Sequence, residues 1–496
     1  MTWNKSKNNK SKFSYKKPGA EAKVAPVRKQ LDWSKFQQAI FKDCSDGVGN
    51  TIISAGAGSS KTTSIVEALY HIPRNKSIIF LAFNSDIAKE IRSQVPDYVD
   101  AKTFHSFCFK IISNAFGTVK VDKYKNYNIV VSLVGDARET YELRENLLKA
   151  IGLCKNYLAE TSSEIEEVLD KHGIECGGEK ERLEFIANIQ KAMELSMLQN
   201  KVIDFDDMIW FVAKFSLNVP KYDHILVDEA QDLNKLQQVI LLDMLHETSR
   251  VCVVGDRNQA IYGWRGADIH SMDNLKTILS AKELSLPISY RCAKKIVEYA
   301  NQLVPELKAW EQSPEGKVVN CSYQEMHQNA AYGDFILSRT NAPLVGLCFS
   351  FLKEGRRANI LGKDIGNNLI FMIKNSKAET VEGFLEWLEN WKNLQVERLT
   401  SKNRDCTQVL DKYECLLAFC ENALTLNEVK QNIQTIFSEK DDKSYIILST
   451  THKAKGLERD RVWMLNKTYK PSKGGEEKNL AYVAITRAKK ELYVVC

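Results

Sequence analysis

The sequence predicts an α/β protein of two parallel-sheet units, each interrupted by a mainly helical insertion. Three observations carry this expectation. Short β-branched runs alternate with helix-period segments from Asn50 onward, and the alternation restarts near Leu284. Strands and helices in that rhythm build parallel sheets with helices on their faces. In each half the rhythm is broken by a stretch of helical periodicity alone. The 496 residues suffice for three or four domains at roughly 100–200 residues each. A content of 44% apolar and 27% charged residues describes a packed, soluble protein.

Residues 1–30 come first, with nine Lys or Arg against one acid, Glu21, for a charge of +8. The other 466 residues, with 60 basic and 62 acidic side chains, sum to −2. A lysine-rich end on a near-neutral body is expected to be a disordered tail. Such a tail either touches nucleic-acid phosphates without sequence preference or serves solubility. TIISA (Thr51–Ala55), SIIFLAF (Ser77–Phe83), HILVD (His224–Asp228) and RVCVVGD (Arg250–Asp256) are the expected strands of the first unit, over 31–120 and 201–282. Its insertion, 121–200, is marked by three helix faces: Leu143, Leu147, Leu148 and Ile151; Ile165, Val168 and Leu169; Leu183, Ile186 and Ile189. The second unit, over 283–365 and 441–496, is expected to carry strands at Phe335–Ser338, Ala358–Leu361, Tyr445–Thr450 and Glu491–Val495. Within its insertion, 366–440, Val381, Phe384, Leu385 and Leu388 share one face, and Val429, Ile433, Ile436 and Phe437 another.

Several classes drop out. No run of 18 apolar residues exists and the N-terminus carries no apolar core, against a spanning helix or secretory signal. None of the twelve cysteines stands in a C-x-x-C pair, so a zinc module is not expected, and scattered thiols suit a reducing compartment.

The segment AGAGSSKTT (Ala55–Thr63) follows a strand and precedes a helix, the setting of a phosphate-binding loop. Amides of Ala57, Gly58, Ser59, Ser60 and Thr63 at a helix N-terminus would cradle phosphates. Lys61 would reach the β- and γ-phosphates and the Thr62 hydroxyl would ligate Mg²⁺. Ser60 stands where a glycine is usual. If the backbone there needs positive φ, the serine costs about 1 kcal/mol.

VDEAQDLN begins at Val227, at a strand end. Asp228 is placed for Mg²⁺ and Glu229 for the attacking water, as phosphoryl transfer requires; such a pair alone is more often a solvated acidic turn, and the phosphate-binding loop before it favours the functional reading. VVGDRNQAIYGWRGAD, from Val253, also opens at a strand end. In it Gln259 can bond a γ-phosphate or lytic water, and Arg265 can sense phosphate charge. Tyr262 and Trp264 offer flat faces for unpaired bases, at ~1–3 kcal/mol per stacked base, although core packing is the commoner fate of a tryptophan.

With these motifs in this order the chain resembles the superfamily-one DNA helicases of the UvrD/Rep/PcrA group, over about residues 33–496. FLAFN, TFHSF (Thr103–Phe107), IDFDDM (Ile203–Met208), SYR (Ser289–Arg291), SRTN (Ser338–Asn341), THKAKGLE (Thr451–Glu458) and AYVAITRAKKELYVV (Ala481–Val495) extend the likeness. It implies two RecA-like domains with ATP and Mg²⁺ between them. By the same resemblance Gln37 (or its neighbour Gln38) meets the adenine edge, Tyr290 stacks on the adenine and Glu458 binds the ribose. Arg291 and Arg487 become arginine fingers from the second domain, joining Lys61, Asp228, Glu229 and Gln259 in catalysis. Phe83, Asn84, Thr103, Phe104, His105, Tyr262, Trp264 and His452 line the single-strand track. Tyr469 is a candidate duplex wedge.

The implied activity is an ATP-driven motor on single-stranded DNA and single/double-strand junctions, moving 3′→5′ and unwinding duplex. A monomer is expected, acting with DNA repair or replication proteins, without a membrane and inside the cell, in the cytoplasm or the nucleus. Three other functions fit the same motifs: a translocase that strips proteins with little unwinding, a non-hydrolysing nucleic-acid-binding regulator with Ser60 marking a lapsed site, and the motor subunit of a nuclease complex whose nuclease is a separate chain.

Overall fold

The computed structural model describes residues 32–496 except 138–139, 175, 177, 402–404, 422 and 439–441. The basic segment 1–30 lies outside the described residues. Two all-parallel sheets organise the chain. The first has the strand order Val99–Thr103, Ile78–Ala82, His224–Val227, Arg250–Gly255, Thr51–Ala55, Lys282–Leu286. The second has the order Lys317–Cys321, Ala488–Val495, Arg459–Leu465, Phe335–Ser338, Ile446–Thr450, Ala358–Leu361, Phe437–Ser438. Central strands such as Ile78–Ala82 and Ile446–Thr450 are buried at every residue, as expected of strands covered by helices on both faces.

Parallel running has a functional consequence. Because all six strands of the first sheet point the same way, the residues that follow them gather along one edge. Gly56–Ser60, Phe83–Asn84, Phe104, Asp228–Glu229 and Asp256 are all at strand C-termini, the edge where open α/β sheets bind ligands.

The sheet boundary differs from the sequence expectation. Lys282–Leu286 pairs in parallel with Thr51–Ala55, in the register Thr51↔Lys282 to Ala55↔Leu286. It is therefore the sixth strand of the first sheet, not the opening of the second unit, and the crossing to the second half starts at Pro287.

Helices Lys125–Val134, Tyr141–Tyr157, Ser162–His172 and Glu179–Leu198 interrupt the first sheet. On the last of these the buried face is Phe185, Ile186, Ile189, Ala192 and Met193, whereas Leu183 is 61% exposed, correcting the expected stripe. A buried ionic cluster ties this insertion to the sheet unit. Asp207 accepts from Lys125 Nζ and Lys155 Nζ, both at 2.7 Å, and all three side chains are buried. Removing one partner of such a set leaves an uncompensated charge in the core, at about 3–5 kcal/mol. The acids of IDFDDM thus hold structure: Asp204 also caps helix Phe205–Lys214 by accepting from Asp207 N at 2.8 Å. In the second half, helices Val381–Ser401, Thr407–Cys420 and Leu426–Ile436 fall between strands Ala358–Leu361 and Phe437–Ser438. Among the described residues no helix is long and apolar enough to cross a membrane.

Candidate nucleotide cleft and nucleic-acid face

The loop after Thr51–Ala55 leads into helix Lys61–Leu69, with Ser60 at its N-cap in the left-handed region (φ +58°, ψ +41°). The position that usually takes glycine does demand positive φ, and the serine side chain makes no capping hydrogen bond there. Lys61 Nζ lies 3.0 Å from Glu229 Oε2. Burial alone would lower the lysine pKa, but the charges of Glu229, Asp256 and Asp228 outweigh it and raise it. Thr62 Oγ1 donates to Asp228 Oδ2 at 2.8 Å. Burial and repulsion from Glu229 push Asp228 up to about 6; Glu229 is held down to about 2, because Lys61 and Lys455 overcome its own burial. Lys61 thus pairs directly with Glu229 and acts on Asp228 only at longer range. The hydroxyl and carboxylate donors of Thr62 and Asp228 suit Mg²⁺. Ser59 Oγ, buried and without a hydrogen-bond partner among the described residues, is the kind of group a bound phosphate would satisfy.

The opposite wall belongs to the second half. Tyr290 N donates to Gly58 O at 2.9 Å, and Ala57 N donates to Tyr482 Oη at 3.0 Å. A Cβ at Gly58 would come 2.5 Å from Arg291 Cβ, so only glycine lets the two walls approach this closely. Arg291 pairs with Glu458. Arg487 is buried and donates through Nη2 to Gln259 Oε1 at 3.3 Å; burial and the neighbouring Arg291 draw its pKa to about 10, still cationic at neutral pH. Gln259 in turn donates to Asp256 Oδ2 at 2.6 Å. The two candidate glutamines of the adenine expectation, Gln37 and Gln38, sit in different surroundings. Gln37 is buried and accepts from Tyr290 Oη at 3.2 Å, whereas Gln38 bonds the exposed Trp33 carbonyl.

Residues to which the sequence assigned no role complete the cleft. Lys455 crosses it to both carboxylate oxygens of Asp232, at 2.7 and 2.9 Å, and to Gln259 O at 2.7 Å. The same ammonium sits 4.4 Å from the centre of the Tyr262 ring. Gln231 bridges Glu229, Asp232 and the amide of Asp256. Both Asp232 and Lys455 stand inside quoted motifs, DEAQD and THKAKGLE, and their opposite charges were the available signal.

Next to this network an aromatic face is open to solvent. Phe83 and Tyr262 lie parallel, 6.4 Å apart with 4° between planes. Trp264 is 44% exposed and meets His452 edge-on at 6.2 Å. His105 faces the exposed Phe205 at 6.4 Å, a ring carried within IDFDDM. Asn84 and Thr103 cap the helices that begin at Ser85 and Phe104. Three expectations fail. Phe104 is 4% exposed and packs with Phe107, Cys108 and Ile111 in the core, so its ring is not on the track. Arg265 lies over the rings of Trp264 and Tyr262, at 4.5 and 5.7 Å, on the aromatic face rather than at the phosphate loop. Tyr469 is 6% exposed and bonds Thr451 Oγ1 at 2.6 Å, which excludes a wedge.

Comparison with known proteins agrees with this geometry. Residues 34–279 match the family model of the UvrD/REP helicase N-terminal domain, and residues 373–496 that of the UvrD-like helicase C-terminal domain. The ATP-dependent DNA helicase PcrA of Bacillus subtilis is 23% identical across 90% of this chain and 80% of its own length. PcrA of Staphylococcus epidermidis is 27% identical across 52% of this chain and 38% of its own length, and that of Staphylococcus aureus 26% across 67% and 47%. Two family models on the two sheet-bearing halves, on a cleft of this construction, show that the chain belongs to the UvrD/REP family of ATP-dependent DNA helicases.

Proposed function

We propose that the chain hydrolyses ATP between its two sheet units and converts opening and closing of that cleft into steps along single-stranded DNA. The contact of Arg487 with Gln259 carries this proposal, because it joins a cation of the second half to a side chain three residues from Tyr262 on the first. Lys61 and the loop amides hold the phosphates, Gln37 and Tyr290 the base, and Glu458 the ribose. Thr62 and Asp228 would hold Mg²⁺, which when bound would supply Lewis acidity to the phosphoryl transfer. Glu229, ionised near neutrality, orients and deprotonates the attacking water. Arg291 and Arg487 approach from the far wall, where such fingers contribute 10³–10⁵ in rate.

Coupling runs through Gln259 and Lys455. A charge change at the γ-phosphate alters the partners of Gln259, and Lys455 ties that residue's carbonyl to Asp232 and the Tyr262 ring. Tyr262, Trp264, Phe83 and His452 present stacking surfaces to the strand. The test is steady-state ATPase with single-stranded DNA, RNA and duplex side by side. Strong stimulation by single-stranded DNA is expected; none would remove the motor.

A further inference from the structure

One helix of the second half holds two loops of the first. Helix Gly475–Ile485 is buried at every residue from Leu480 onward, as a helix inserted between two packed bodies is. Asn479 and Tyr482 stand three residues apart and so share a face. From that face they reach different loops across the cleft.

Asn479 Nδ2 donates to Arg257 O at 3.2 Å and to Ala260 O at 3.0 Å. A side-chain amide nitrogen carries two hydrogens, and both are spent on the turn that contains Gln259. The turn's own closing bond, from Ala260 N to Arg257 O, is long at 3.4 Å. Asn479 therefore fixes where the Gln259 backbone stands, and with it the aim of a side chain that bonds Asp256 and Arg487.

Tyr482 reaches the phosphate loop, where its hydroxyl oxygen accepts from Ala57 N at 3.0 Å. Both residues are fully buried, and burial holds the phenol well above its ordinary pKa, hence protonated. Removing the hydroxyl would take an acceptor from a buried amide. The helix is also anchored at its two ends. In its first turn Glu476 Oε1 lies 3.7 Å from His452 Nε2, and a Cβ at Gly263, next to Trp264, would come 3.1 Å from Glu476 Oε2. Past its last turn Arg487 donates through Nε to Val483 O at 3.0 Å and through Nη2 to Gln259. Between the two loops, Ile261 packs on Leu480 and Val483.

We propose that Asn479 and Tyr482 are positioning residues of the hydrolysis step, which make helix Gly475–Ile485 a single strut that sets the Gln259 turn and the phosphate loop together. This rests on the cleft reading above. Steady-state ATPase of the full chain with saturating oligo(dT), paired with equilibrium binding of a fluorescent ATP analogue, tests it. Tyr482→Phe removes only the hydroxyl, and Asn479→Leu replaces the amide by an apolar group of similar shape. A neutral hydrogen bond is worth about 2–10-fold, so kcat should fall by about that factor in Tyr482→Phe and by about 5–100-fold in Asn479→Leu, which loses two. Nucleotide affinity should stay within about two-fold of the wild type in both, because the lost bonds serve the chemical step rather than uniform binding. Residues that act as a unit do not multiply their losses, so the double variant should be no slower than Asn479→Leu alone. Wild-type kcat in both single variants, a double variant slowed by the product of the two losses, or affinity falling in step with kcat would each overturn the strut. If the wild type itself hydrolyses no ATP, the cleft reading falls and the strut with it; if the wild type is active and the variants keep its rate, the strut falls alone.

Discussion

Replacing Ser60 by glycine should stabilise this protein, against the usual effect of adding a glycine. Ser60 is held at φ +58°, where a Cβ crowds the following carbonyl at roughly 1–2 kcal/mol. Its side chain returns no capping bond, while its carbonyl is fixed by Ser64 N at 2.9 Å and Ser64 Oγ at 2.8 Å. The backbone therefore keeps its shape whichever residue is present. Glycine relieves the crowding but loses about 0.5–1 kcal/mol through the greater freedom of the unfolded chain. The net gain is about 0.5–1 kcal/mol. Since 1 kcal/mol moves the midpoint of a domain of this size by about 2–4 °C, calorimetry should show a rise of about 1–4 °C. Ser60→Ala keeps the crowding and should melt with the wild type. ATPase activity should be unchanged or higher in Ser60→Gly. A lower Tm for the glycine variant, or a large loss of turnover, would refute the reasoning and give the hydroxyl a function of its own.

Glu229→Gln should still bind ATP but hydrolyse it ~10²–10⁴-fold more slowly, as nucleotide-binding and single-turnover measurements would separate. Trp264→Ala should weaken oligo(dT) binding by ~1–3 kcal/mol and lose DNA stimulation while keeping basal hydrolysis; equal loss of both would contradict a stacking role. Burial holds His172 and His224 near 4 in the folded chain, below the ordinary histidine value of about 6.5. The unfolded chain thus binds more protons between those values. The stabilisation is complete above about 6.5 and fades as pH falls towards 4. Tm of a His172→Asn, His224→Asn double variant should fall less between pH 7 and 5 than that of the wild type.

Much of this architecture was legible because the strands at the site are buried and β-branched, and because each motif follows such a strand. The strands that escaped have a common cause. Val99–Thr103, Lys282–Leu286 and Lys317–Cys321 are sheet edges, where one side is solvated and Asp100, Lys282, Glu283 and Lys317 dilute the apolar pattern. Arg459–Leu465 is central, but it opens with Arg459, Asp460 and Arg461. Missing Lys282–Leu286 moved the expected unit boundary. At the site, motif membership overrode periodicity for Phe104: with Phe107, Cys108 and Ile111 it forms an i, i+3, i+4, i+7 core face. Lys455 was missed for the opposite reason, because a charge acting across a cleft leaves no local pattern.

The central claim is that one reaction centre is divided between the two halves of the chain. Single-turnover hydrolysis by Arg291→Ala, with ATP occupancy measured in the same samples, tests it most directly. ATP should bind, with the chemical step slowed by about 10³–10⁵ even when single-stranded DNA is present. Hydrolysis at the wild-type rate in the fully occupied variant would contradict the account.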